Sequence, residues 1–123
     1  MLPNTLLNIE QVIQRLNLIN EQQLHELRNI LSRLRLNDYL YPGVIKRQLH
    51  VSSAIAYKIL SAIEKQGYLK ACFEIVCFTC NRTTGEIYDS IAEIPSEIYC
   101  PCCEEELNAM ENAVLIFRVV ADA

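Results

Sequence analysis

The chain changes period once. Up to residue 67 its apolar positions recur at three- and four-residue intervals, and from Tyr68 they alternate. Leu6, Ile9, Val12, Ile13 and Leu16 form one helical stripe over 5–17. Asn17-Leu18-Ile19 breaks it. Asn20 is a good N-cap, and Gln23 stands three residues on, as in a capping box, so a second helix is expected over 20–36. Its seam is Leu24, Leu27, Leu31 and Leu34, with Arg28, Arg33 and Arg35 off it. That row reads as core in preference to a dimer seam, because two heptads are too few for a coiled coil. Residues 37–43 form a turn in which Tyr39 and Tyr41 are expected to pack around Pro42. Pro42 sits at or near the first position of a short helix to Leu49 that exposes Lys46, Arg47 and Gln48. His50-Val51 is a brief turn. Ser52 or Ser53 caps a longer helix to about Gln66, buried through Ile55, Ile59, Leu60 and Ile63. Gly67 ends it, where a left-handed residue belongs.

Beyond that point the alternation of 68–77 predicts a half-buried strand. Residues 81–85 read as a turn, 86–91 as a second strand, and 104–112 as a helical turn or loop. Ala113 to Val120 is apolar on both faces except at Arg118. A bare edge of that kind invites aggregation, so it should be covered, and pairing with 68–77 is expected.

The cysteines add chemistry to this pattern. Cys77-Phe78-Thr79-Cys80 and Cys100-Pro101-Cys102-Cys103 are separated by residues 81–99, within the range for a four-cysteine zinc site. Each pair makes a tight turn presenting two thiolates, and two such turns close a tetrahedron. Cys77, Cys80, Cys100 and Cys103 are the expected ligands of one zinc ion. Cys103 is preferred to Cys102 because two intervening residues suit a knuckle, which leaves Cys72 and Cys102 spare. Four thiolates leave no open position for water, so the metal reads as structural. The other readings are a rubredoxin-like iron site, a redox dithiol, and cysteines that only pack.

Composition narrows the class. Apolar residues make up 51% and charged residues 21%, a globular balance. No apolar run approaches the roughly 20 residues of a membrane span, and Met1-Leu2-Pro3-Asn4 offers no basic region before an apolar core. A cytoplasmic compartment is expected, where cysteines serve metals more readily than disulfides. His25 and His50 lie far apart, only three glycines are present, and no catalytic set emerges, so no enzyme and no small-molecule substrate are expected. The formal net charge is −4, and a tetrathiolate zinc would take it to about −6. Phosphate contacts dominate nucleic-acid affinity, so any DNA contact must use a local basic surface.

The order of helix, short helix, tight turn, longer helix, Gly67 and strand, with Glu64-Lys65-Gln66-Gly67-Tyr68-Leu69 at the junction and paired cysteines beyond, resembles proteins that join a winged helix to a zinc ribbon. The alpha subunits of general transcription factor E and assorted prokaryotic regulators have that architecture. The resemblance covers about residues 20–103. It implies an α+β chain, with a winged helix-turn-helix and an extra N-terminal helix over 1–76 and a zinc ribbon with a C-terminal strand over 77–123. It also implies DNA binding or docking on a larger nucleoprotein machine. In the first case Ser52, Ser53, Tyr57 and Lys58 on the 52–66 helix face the major groove, while Lys46 and Arg47 reach phosphate. The reading is a transcriptional regulator that binds duplex DNA as a homodimer. The alternative is an adaptor subunit of a larger protein complex that binds no DNA itself.

Overall fold

The computed structural model describes residues 1–122. Helices α1 (Pro3–Leu16), α2 (Glu21–Ser32), α3 (Pro42–Leu49) and α4 (Ser53–Lys65) come first, with a two-residue strand β1 (Tyr39–Leu40) between α2 and α3. Strands β2 (Leu69–Cys77) and β3 (Arg82–Tyr88), a 3-10 turn (Ile91–Glu93), β4 (Ile98–Tyr99), β5 (Glu106–Leu107), the short helix α5 (Ala109–Asn112) and β6 (Ala113–Val119) complete a mixed α+β chain. The strands form an antiparallel sheet in the order β1-β6-β2-β3 and a separate β4-β5 hairpin. No helix among the described residues is long and apolar enough to cross a membrane.

The chain divides into two compact units. Met1–Lys70 joins the segment from Phe117 onward, and Ala71–Ile116 lies between them in sequence.

In the first unit local signals and packing agree. Asn20 and Gln23 form a complete capping box. The Gln23 amide also donates to the Leu49 carbonyl at 2.9 Å, so one side chain starts α2 and terminates α3. Left-handed Asn17 and His50 end α1 and α3. The Ser52 hydroxyl accepts from the Ile55 amide at 3.2 Å and starts α4. Thr5, Leu6, Ile9 and Ile13 of α1 are buried with Leu27 and Leu31 of α2 and with Ala56, Ile59, Leu60 and Ile63 of α4. The leucine row is therefore intradomain core at its centre, with Leu24 and Leu34 half-buried. Each fully buried Ile or Leu contributes about 1.5–3 kcal/mol.

Several expectations need correction here. Helix α2 stops at Ser32, so Arg35 lies beyond it. Ile55 is half-buried, and the small Ala56 takes its place in the core. The 37–43 segment contains β1, which pairs with β6 (Tyr39 with Arg118, Leu40 with Phe117) and is continued by Asn37 and Asp38 bonding to Val119. That pairing turns Leu40 inward and leaves Tyr39 and Tyr41 exposed, not packed around Pro42. It also covers the edge of the most strand-like run in the chain.

In the second unit the turn expected at 81–85 is strand. The knuckle Cys77–Cys80 already reverses the chain, so Cys77 pairs with Arg82 and β3 begins there. The Thr83-Thr84-Gly85 signal marks a bulge instead, where the register shifts between Glu74 and Val76. Gly85 adopts φ +81°, and the Thr84 hydroxyl donates to the Ile75 carbonyl at 3.0 Å, satisfying a group the ladder misses. Strand β3 ends at Tyr88, and Ile91 belongs to the 3-10 turn. Strand β2 is not half-buried. Cys72 and Glu74 are buried as well as Ile75 and Cys77, so both faces are covered.

Gly67 turns the chain from α4 into β2 at φ +91°, and a Cβ there would meet nothing within 4 Å. Gly67→Ala should therefore cost about 1–2 kcal/mol through backbone strain alone. Thermal unfolding followed by circular dichroism measures it. An unchanged midpoint would mean the residue relaxes out of the left-handed region.

Candidate metal centre and helical surface

The second unit has a very small core. Ile75, Cys77, Cys100 and Leu107 are buried together, with Cys80, Tyr88, Ile94, Ile98 and Ala113 packed around them. Two of the four central residues are cysteines. Full burial of Ile75 and Leu107 contributes on the order of 3–6 kcal/mol together. Structural zinc in small metallodomains contributes about 10–16 kcal/mol. A metal, if bound, is thus the larger cohesive term.

The two cysteine pairs occupy equivalent places. Cys77–Cys80 closes the β2–β3 hairpin, and Cys100–Cys103 closes the β4–β5 hairpin, in which Ile98 pairs with Leu107 and Tyr99 with Glu106. Cys77, Cys80, Cys100 and Cys103 bring their sulfurs within 4.8 Å of one another. Cys77 and Cys103 stand 3.5 Å apart, and Cys80 and Cys100 stand 3.6 Å apart. A disulfide needs about 2.05 Å, whereas metal–sulfur bonds of about 2.3 Å imply tetrahedron edges of about 3.8 Å. The cluster matches the metal geometry, and no disulfide joins any of the six cysteines. These four residues could hold a metal ion such as zinc.

The backbone of each knuckle cradles its sulfurs in the same way. Cys77 accepts amide hydrogen bonds from Cys80 and Thr79, and Cys100 accepts from Cys103 and Cys102. The second cysteine of each pair accepts from the residue two further on, Arg82 for Cys80 and Glu105 for Cys103. Such amides stabilise thiolate. They hold Cys77 below the ordinary thiol value, led by the Cys80 amide, and bring Cys100 down to about 6, led by the Cys103 amide. Burial pushes Cys80 up to about 12, with the Cys100 thiol adding to it. For Cys103 the Glu105 amide pulls downward, but burial and the Cys77 and Cys100 thiols together outweigh it and raise the value. Each pair thus offers one sulfur that ionises readily and one that resists ionisation until a cation arrives.

The sequence suggests one half of a further feature, because Asn81 after the first knuckle tolerates a left-handed backbone, while Glu104 after the second gives no such signal. The residue after each second cysteine is left-handed, Asn81 at φ 57° and Glu104 at φ 62°. Asn tolerates that region, while Glu stands where glycine would be unstrained. Cys102 is exposed, and the Arg82 guanidinium donates to its sulfur at 3.8 Å. Cys72 is buried in β2.

The remaining singled-out residues lie on the first unit. Lys46, Arg47, Ser53 and Tyr57 line one groove between α3 and α4, with Pro42 and Gly43 at its end. Ser52 is exposed, but its oxygen serves as the cap of α4. Lys58 is exposed and lines a different cleft, against the C-terminal end of α1.

Charge is divided sharply between the units. The first holds ten of the eleven Lys and Arg and six of the fifteen acids, a net +4. The second holds Arg82 against nine acids, a net −8, and together they make the −4 of the chain. The overall acidity therefore belongs to the cysteine-bearing unit, and the helical unit is basic.

Comparison with models of protein families, with curated proteins and with solved structures found no match.

Two outcomes test the metal centre. Cys77→Ser or Cys100→Ser should abolish metal binding and unfold residues 71–116, while Cys102→Ser keeps both. Metal content and amide exchange read this directly, and a variant that loses metal yet stays protected would undo the argument. The second outcome concerns pH. Stability carried by the depressed Cys100 is fully present above the ordinary thiol value of about 8.5 and is lost as pH falls through about 6. Protons compete with a bound metal for all four sulfurs, so metal release and unfolding of the second unit should share one acid midpoint. Unfolding and metal release at separate midpoints would contradict it.

Proposed function

We propose that the chain is a winged-helix/zinc-ribbon transcriptional regulator that binds duplex DNA, as a homodimer, with one structural zinc. The observation that carries the reading is the arrangement α2, β1, α3, a left-handed turn at His50, α4 and β2, closed by the β1-β6-β2 order of the sheet. Strand β6 stands for the third strand of a winged helix, and the metal unit is inserted in the chain where the tip of the wing would be. The α3–α4 groove then carries the main DNA contacts, with Lys46 and Arg47 on phosphate and Ser53 and Tyr57 on the recognition helix, and Lys58 adds a contact from the neighbouring face of α4. The +4 balance of the helical unit removes the objection that the net charge raises. Zinc is favoured by the closed tetrathiolate set, which leaves no coordination position for catalysis. On this reading the protein is not an enzyme and works in the cytoplasm.

One observation favours a second reading, that of an adaptor. Phe78 and Tyr99, each next to a ligand cysteine, are more than half exposed on a unit of net charge −8. Exposed aromatics on an acidic surface suit a basic protein partner.

The test is binding to duplex DNA from the chain's own promoter region as a function of salt. Changing Lys46, Arg47 and Lys58 together to Ala should weaken binding more than about tenfold near 0.1 M salt and flatten the salt slope by about 3. Unchanged binding means that the surface is wrong, and no binding at low salt hands the function to the adaptor reading. A colourless protein with one zinc per chain excludes an iron centre.

A further inference from the structure

A cleft on the first unit lies where α1 ends and α4 passes. Val12, Leu16 and Leu18 form its apolar side, Tyr57 adds an aromatic ring, and Lys58 and Lys65 stand at its rim. Leu16 is 45% exposed and Tyr57 38%, although both belong to elements whose other faces are fully buried. The volume is about 530 Å³, inside the range of about 300–1,000 Å³ that takes small ligands. No acidic residue lines it. Lys58 and Lys65 are two helical turns apart on one face of α4, so both ammonium groups serve the same rim.

We propose that this cleft is a binding site for a small apolar molecule bearing a carboxylate, and that its occupant competes with DNA. The competition rests on the regulator reading above; the site itself does not. The chemistry follows from the lining. Val12, Leu16 and Leu18 cover a hydrocarbon body, and the two lysines, with no carboxylate to neutralise them there, attract an anionic head. A concavity of this size suits such a ligand better than a second copy of the chain, whose stable docking needs about 800 Å² from each partner. Tyr57 lines both this cleft and the α3–α4 groove, and Lys58 belongs to the proposed DNA surface. A ligand that neutralises Lys58 and fixes the Tyr57 ring therefore withdraws two residues from the nucleic-acid face. The cleft thus couples occupancy to DNA affinity through shared side chains, without a conformational switch.

Decanoate, with decanol as its uncharged counterpart, is the probe, titrated into the metal-loaded 123-residue chain by calorimetry. Decanoate should bind below about 1 mM and decanol at least tenfold more weakly. Leu16→Gln, at an exposed helix-end position that tolerates it, should weaken both. Lys58→Ala with Lys65→Ala should weaken decanoate tenfold or more and leave decanol unchanged. Absence of binding, or binding indifferent to both variants, overturns the proposal. So does a dimer that Leu16→Gln dissociates while decanoate fails to bind, which would make the cleft a subunit seam. A protein that binds decanoate in this pattern but binds no duplex keeps the site and removes the regulator reading. One whose DNA is displaced by decanoate and not by decanol supports both.

Discussion

The second unit depends on four sulfurs being held within 4.8 Å. Like charges at that range repel strongly in a partly buried site, so four thiolates cannot share it without a cation. The knuckle amides lower the cost for Cys77 and Cys100, while burial raises it for Cys80 and Cys103. Cys77 and Cys100 are also two of the four residues of the buried cluster, so half of the candidate ligand set belongs to the core. Hairpin geometry and burial meet at those two residues. The left-handed Glu104 is consistent with this arrangement, since a backbone there is strained unless its surroundings over-determine it.

The helical unit rests on a different principle. Its elements carry their own start and stop signals, and its core is ordinary aliphatic packing among α1, α2 and α4. Helix α4 is the shared member. Ala56, Ile59, Leu60 and Ile63 bury one face, and the opposite face exposes Tyr57 and Lys58. Tyr57 borders two concavities, the α1–α4 cleft and the α3–α4 groove.

Separation of charge gives the two units different repertoires. A basic helical surface and an acidic metal unit in one chain cannot both approach the same polyanion. Of the two, only the helical unit carries the charge that a polyanion would attract, and the cysteine-bearing unit carries the charge that would attract a basic surface. The chain's net charge, taken alone, conceals both statements.

What the sequence determined by itself was local. Helical periodicity, the Asn20–Gln23 box, Pro42, Ser52 and Gly67 located α1 to α4, because those signals act within one turn of the chain. Two Cys-x-x-Cys pairs singled out the four sulfurs, because a knuckle needs two intervening residues. Tertiary structure decided what depends on distant partners. Strand β1 exists only because β6 lies beside it, and two residues carry no period of their own. Thr83-Thr84-Gly85 reads as a turn until the knuckle before it has already reversed the chain. Cys72 and Glu74 fall on the polar phase of β2, yet burial of both faces takes them in. The division of charge was present in the residues from the start. The fold supplied the boundary after Lys70, because a boundary between packed units is a property of contacts and not of composition; the segment from Phe117 onward adds Arg118 and Asp122 together and leaves both balances unchanged.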